Sequence, residues 1–214
     1  MTWSPHFRLR SPFLVALTSV LVGLVLLFAE LPFLAVSIRH STIPYEVPPS
    51  EYLSVLLGLG LTVYLAPRFT LWELLGSARV SVQATVCSLV VVVVPGIISA
   101  ASYLTYPAGA QPPLRIVLHF ALNVVALGAI AYLCISYFGR YWGSLVFIAL
   151  YYGMLLLAAE APRLAIFLPR TVLRVEGEIM AEILWWWLVP LIVAAFATAF
   201  CRRALPMLWV ENAQ

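Results

Sequence analysis

Few residues in this chain could do chemistry, and those few are set in hydrocarbon. His119 and Asn123 stand four apart in an apolar run, so a helix carries both on one face. A pair of that kind could ligate a metal, supply a general base, or form a hydrogen bond between membrane helices. Glu30 lies two residues before Pro32, in the outer part of another apolar run. An ionisable residue at membrane depth is a candidate for a substrate or ion pathway, although Glu30 is close to the outer interface. The other histidines, His6 and His40, fall in loops. No Gly-x-Ser-x-Gly occurs, and no histidine is placed to serve a serine nucleophile. Cys87, Cys134 and Cys201 are isolated, without metal spacing or even pairing, and read as small buried residues. Glu160, Glu176, Glu178 and Glu182 cluster late in the chain as solvated helix ends, with Glu178 one helical turn from Arg174 and able to pair with it.

Two absences narrow the function further. The chain contains no lysine and no aspartate. A phosphate-binding loop of the P-loop kind needs its lysine to reach the β- and γ-phosphates, so this chain cannot carry one. Aspartate-dependent phosphoryl transfer and Asp-based triads are excluded in the same way. Any ATP and Mg are therefore bound by another subunit, and no catalytic, cofactor or metal site is expected here. The net charge of +3 does not indicate nucleic acid, because the arginines sit at the ends of apolar runs and form no patch.

Of the 214 residues, 64% are hydrophobic and 10% charged, with a mean hydropathy of +1.02. That exceeds what a soluble core needs, and the expected class is an all-α polytopic membrane protein in contact with a lipid bilayer. Six apolar runs are read as spans, about 14–36, 51–66, 80–104, 116–138, 144–159 and 183–200, the second of them short for a span. The first is too long for a signal peptide and lacks a cleavage site, so it is expected to be retained. Pro44, Pro48 and Pro49 make Ser37–Ser50 a loop, and Pro95-Gly96 predicts a break or kink in the third run. Gly139–Gly143 is a tight turn.

Two connections have a pattern of their own. Pro67–Arg79, read as a helix, sets Phe69, Trp72 and Leu75 along one side and Glu73 and Ser77 along another, between Arg68 and Arg79. Such a segment lies on a membrane surface. In Ala161–Glu182, Leu164, Leu168, Val172, Val175 and Ile179 recur at helical spacing, with Arg170 and Arg174 opposite, which predicts two short amphipathic helices divided at Pro169. With both termini inside, seven arginines fall on the inner side and five on the outer, while glutamates crowd the outer side.

The His119-x-x-x-Asn123 spacing resembles a motif of the intramembrane proteases that process prenylated proteins. Those enzymes also carry paired glutamates and a second histidine, and this chain has neither inside a span. Across nearly its whole length the layout is similar to the membrane subunit of a bacterial ABC exporter of the second, six-span permease type. The shared features are six spans, both termini inside, an amphipathic inner element between spans two and three, and short outer helices between spans five and six. The resemblance implies that Phe69, Leu71, Trp72, Glu73, Leu75 and Arg79 belong to a coupling helix gripped by a separate ATPase subunit. It makes Arg170, Arg174 and Glu178 part of an outer re-entrant pair. It also implies a second six-span subunit, equal or different, and residence in the bacterial cytoplasmic membrane. An amphipathic helix before the first span is expected too, for which Met1–Arg10 leaves little room. The alternatives are an intramembrane enzyme and a non-catalytic six-span partner of a larger complex.

Overall fold

The computed structural model describes residues 34–36, 45–47, 49–65, 78–103, 113–160, 173–175, 178–180 and 185–202. Within them the architecture is helical, with four helices and two small antiparallel hairpins. The helices are α1 (Pro49–Leu65), α2 (Ala78–Ser102), α3 (Leu114–Glu160) and α4 (Trp185–Arg202). The strands are β1 (Leu34–Val36) paired with β2 (Tyr45–Val47), and β3 (Leu173–Val175) paired with β4 (Glu178–Met180). Among the described residues, α3 is the one helix both long and apolar enough to cross a membrane, and shorter apolar stretches of 10–17 residues lie within α1, α2 and α4. The expected count of six spans therefore goes beyond what the described residues establish.

The long helix is not straight. Gly139 has φ 77° and ψ 179°, a region that is essentially restricted to glycine, and it separates a first limb (residues 114–138) from a second (140–160). The second limb folds back on the first at very short range. A Cβ added at Gly143 would lie 2.6 Å from Ile135 Cα and 2.6 Å from the Cys134 carbonyl oxygen. In a continuous helix positions 135 and 143 would be about 12 Å apart along the axis. Phe147, Tyr151, Met154 and Leu155 then pack with Val124, Leu127, Ala131 and Ile135 in one apolar cluster, joined by Val55 and Leu59 of α1. The expected turn over Gly139–Gly143 is thus confined to one residue, and Arg140 onward is already helical.

Glycines set the other contacts as well. Gly96 of α2 meets Ala121 and Val125, and Gly128 of α3 meets Val92, so α2 and the first limb run antiparallel. Gly58 of α1 meets Pro95. Val92 and α4 residues Leu188, Ala195 and Ala199 close a second cluster against Val125, Ala129 and Tyr132. Small residues at the crossings let backbones approach, which favours van der Waals contact between the helices.

Several sequence expectations are corrected. Of the break or kink expected at Pro95-Gly96, the break is absent, and α2 is one helix with Pro95 inside it. The chain packed around Pro95, not its local propensity, decides the outcome there. Leu34–Val36, expected as the end of the first span, is a strand, and Tyr45–Val47 inside the expected loop is its partner. Pro49 opens α1 instead of ending a loop, because a proline at the first helical position loses no hydrogen bond. The helical spacing of 161–182 also misled: residues 173–175 and 178–180 pair as strands, with Leu173 opposite Met180 and Val175 opposite Glu178. The β-branched Val172, Val175 and Ile179 and the two-residue Glu176-Gly177 link are hairpin signals that outweigh the period. The rest of the first run, including Glu30, lies outside the described residues.

The glycine contacts rank three substitutions. Gly143→Ala drives a Cβ into rigid backbone and should destabilise by about 3 kcal/mol or more. Gly139→Ala has free space but a forbidden dihedral, and should cost about 1–3 kcal/mol. Gly153→Ala, with nothing within 4 Å, should be neutral or gain up to about 1 kcal/mol from helix propensity. Unfolding of the three purified variants in detergent checks the order.

Candidate functional site: a buried polar layer

Several hydroxyls in these helices are satisfied by their own turn. Thr62 Oγ1 donates to the Gly58 carbonyl at 2.7 Å, Ser88 to Thr85 at 2.8 Å, and Ser102 to Ser99 at 2.7 Å. Ser144, part-buried, donates to Arg140 at 2.5 Å. This back-bonding to the carbonyl three or four residues earlier is a local accommodation without further role.

A different arrangement occupies the junction where α2 ends and α3 begins. Ser99 and Ser102 of α2, Tyr103 just beyond it, and His119 and Asn123 of α3 are all buried. The antiparallel crossing at Gly96 and Ala121 carries the last turn of α2 alongside the first turns of α3. The Tyr103 and Phe120 rings stack with centroids 6.0 Å apart, and the His119 ring meets Phe120 edge-on at 6.0 Å. Glu51 and Ser54, one turn apart at the start of α1, are also fully buried.

His119 and Asn123 come together as their spacing predicts. Asn123 Nδ2 donates to His119 Nε2 at 3.3 Å. In the tautomer in which Nε2 accepts, the ring proton sits on Nδ1. The contact engages Nε2 within the helix's own turn. Among the described residues no three His, Cys, Asp or Glu side chains cluster as a metal site. Cys134 is buried and unbridged in the first apolar cluster.

The remaining sequence candidates fall elsewhere. Phe69, Leu71, Trp72, Glu73 and Leu75 lie outside the described residues, as do Glu30 and Arg170. Arg79 belongs to the first turn of α2, not to a separate surface helix. Arg174 stands opposite Ile179 and Glu178 opposite Val175, so a strand register replaces the helical turn on which their pairing was expected. The sequence reading passed over Glu51, Ser54, Ser99 and Ser102. Their signal was the spacing of three in Glu51-x-x-Ser54 and Ser99-x-x-Ser102, which puts each pair on one helix face. Comparison with protein-family models, curated proteins and solved structures finds no match for the chain.

If the His119–Asn123 bond contributes to stability, the two substitutions to Ala should not add. Each alone should cost about 1–3 kcal/mol, and the double variant should cost less than their sum by about 0.5–1.5 kcal/mol. A double-mutant cycle on unfolding in bicelles measures this, and strict additivity would remove the bond from the account.

Proposed function

We propose that the chain is a membrane-spanning permease subunit of a bacterial ABC-type export system. In this reading it crosses the cytoplasmic membrane six times with both termini inside. A second six-span subunit forms the other half of the pathway, and a separate ATPase drives the pair. The observation that carries the proposal is the charged, amphipathic stretch Pro67–Arg79 set between apolar helices in a chain that has no lysine for a phosphate loop of its own. The helical core supports it. The two limbs of α3 are each about 20 residues or longer, the length of a span. Apolar side chains such as Trp142, Leu145, Trp186 and Val193 stand exposed on α3 and α4, as lipid-facing residues do.

The mechanism follows from connectivity. Pro67–Arg79 joins the end of α1 to the beginning of α2. A push on it by an ATPase is delivered to both helices at once. Rigid, closely packed helices transmit such a movement along their length better than loops do. The far ends of α1 and α2 carry Glu51, Ser54, Ser99 and Ser102, so the polar layer is where the displacement would be felt.

Trp72 tests the coupling role. A buried aromatic anchor commonly contributes at least about 2 kcal/mol to such a contact, roughly a thirtyfold change in affinity. Trp72→Ala should leave the chain inserted and folded, while an ATPase encoded beside it no longer copurifies or loses its stimulated turnover. Normal binding and stimulation would remove Pro67–Arg79 as the coupling element. Topology is tested separately by labelling single cysteines from outside. Sites in Ser37–Ser50, Thr105–Pro113 and Ala161–Glu182 should react, and sites in Pro67–Arg79 should not. Outside labelling of Pro67–Arg79 would sink the proposal.

A further inference from the structure

Two buried hydroxyls do not follow the local habit. Ser54 and Ser99 are fully buried, and neither Oγ has a hydrogen-bond partner. Four other side-chain hydroxyls in the same helices donate to their own backbone at 2.5–2.8 Å, so the geometry for doing so is available. A buried hydroxyl left unpaired is unfavourable, and the usual remedy in a polar, enclosed position is an internal water or a ligand group.

The heights of the two residues coincide if α1 and α2 are consecutive membrane crossings, as the permease reading has them, because consecutive crossings run antiparallel. Ser54 lies one turn before Gly58 and Ser99 one turn after Pro95, and Gly58 meets Pro95. The antiparallel contact of α2 with α3 places His119 and Asn123 at that same level. We propose that the junction of α1, α2 and α3 around Ser54 and Ser99 is a hydrated site that binds a neutral hydroxyl or amide group, with water as its resting occupant. Ser54 and Ser99 each offer one donor and two acceptor positions. Such a set suits a group that both donates and accepts, as water, an alcohol or an amide does. Glu51, one turn before Ser54, is engaged in an interaction of its own.

The test uses the full chain in membranes, with Cys87, Cys134 and Cys201 replaced by Ala. Oxidation should cross-link the Ser54→Cys/Ser99→Cys double variant and leave Ser54→Cys/Val91→Cys uncrossed. The reverse pattern would make α1 and α2 parallel, which overturns the consecutive-span reading and the site together. With the expected cross-link in hand, the site is tested alone. Ser54→Cys and Ser99→Cys, singly, should react with 2-aminoethyl methanethiosulfonate at least tenfold faster than the equally buried, apolar controls Leu57→Cys and Val92→Cys. Molar ethylene glycol should slow the serine positions more than the controls. Equal rates at serine and control positions would show a dry junction and overturn the site while the spans stand. Faster labelling without competition by ethylene glycol would overturn the ligand class. Should the cysteine variants fail to fold, the Ser54→Ala/Ser99→Ala variant reads the same question by sign. Its melting midpoint falls if the hydroxyls hold water and rises if they are dry and unpaired.

Discussion

The close approach of backbone to backbone at glycine holds this structure together. Gly143 sits against Ile135, Gly96 against Ala121 and Gly128 against Val92. In a chain with this much hydrocarbon on every face, burial of apolar surface does not distinguish one helix pairing from another. Close packing does, because dispersion contacts fall away steeply with a gap of even half an ångström. The glycines therefore specify which faces meet, and the apolar clusters around Phe147 and around Ala195 fill in behind them.

That constraint explains the position of the polar groups. Once α2 and α3 are locked antiparallel at Gly96 and Gly128, the last turn of α2 has to lie beside the first turns of α3. Ser99, Ser102, Tyr103, His119 and Asn123 are then buried at one level. The Asn123 amide meets His119 Nε2 at 3.3 Å within this layer. In the proposed permease, this layer and the coupling stretch lie at opposite ends of α2.

Much of this was legible in the residues. The apolar runs gave α1, α2, both limbs of α3 and α4 to within a few positions, because helical hydrophobic runs of that length have few alternatives. His119 and Asn123 were found from spacing alone. Local rules failed where a single residue or a pairing partner decides. Proline signals a loop at Pro49 and a break or kink at Pro95, yet it opens one helix and is carried inside another. The three-and-four spacing in 161–182 coexists with β-branched residues and a Glu176-Gly177 link, and the pairing of 173–175 with 178–180 prevails. Ser54 and Ser99 were invisible because a lone serine in an apolar helix ordinarily bonds to its own backbone, and only the packed structure distinguishes the two that do not.

The fold-back at Gly139 is the claim on which the packing rests, and one distance decides it. Spin labels at Arg115 and Ala158, placed through single cysteines in an otherwise cysteine-free chain, report the separation of the two ends of α3. A hairpin of packed limbs, with axes about 8–10 Å apart, should put the labels within about 25 Å of each other by pulsed electron resonance. A continuous helix over the same residues would hold them about 65 Å apart at 1.5 Å per residue, and a distribution centred there would contradict the structure.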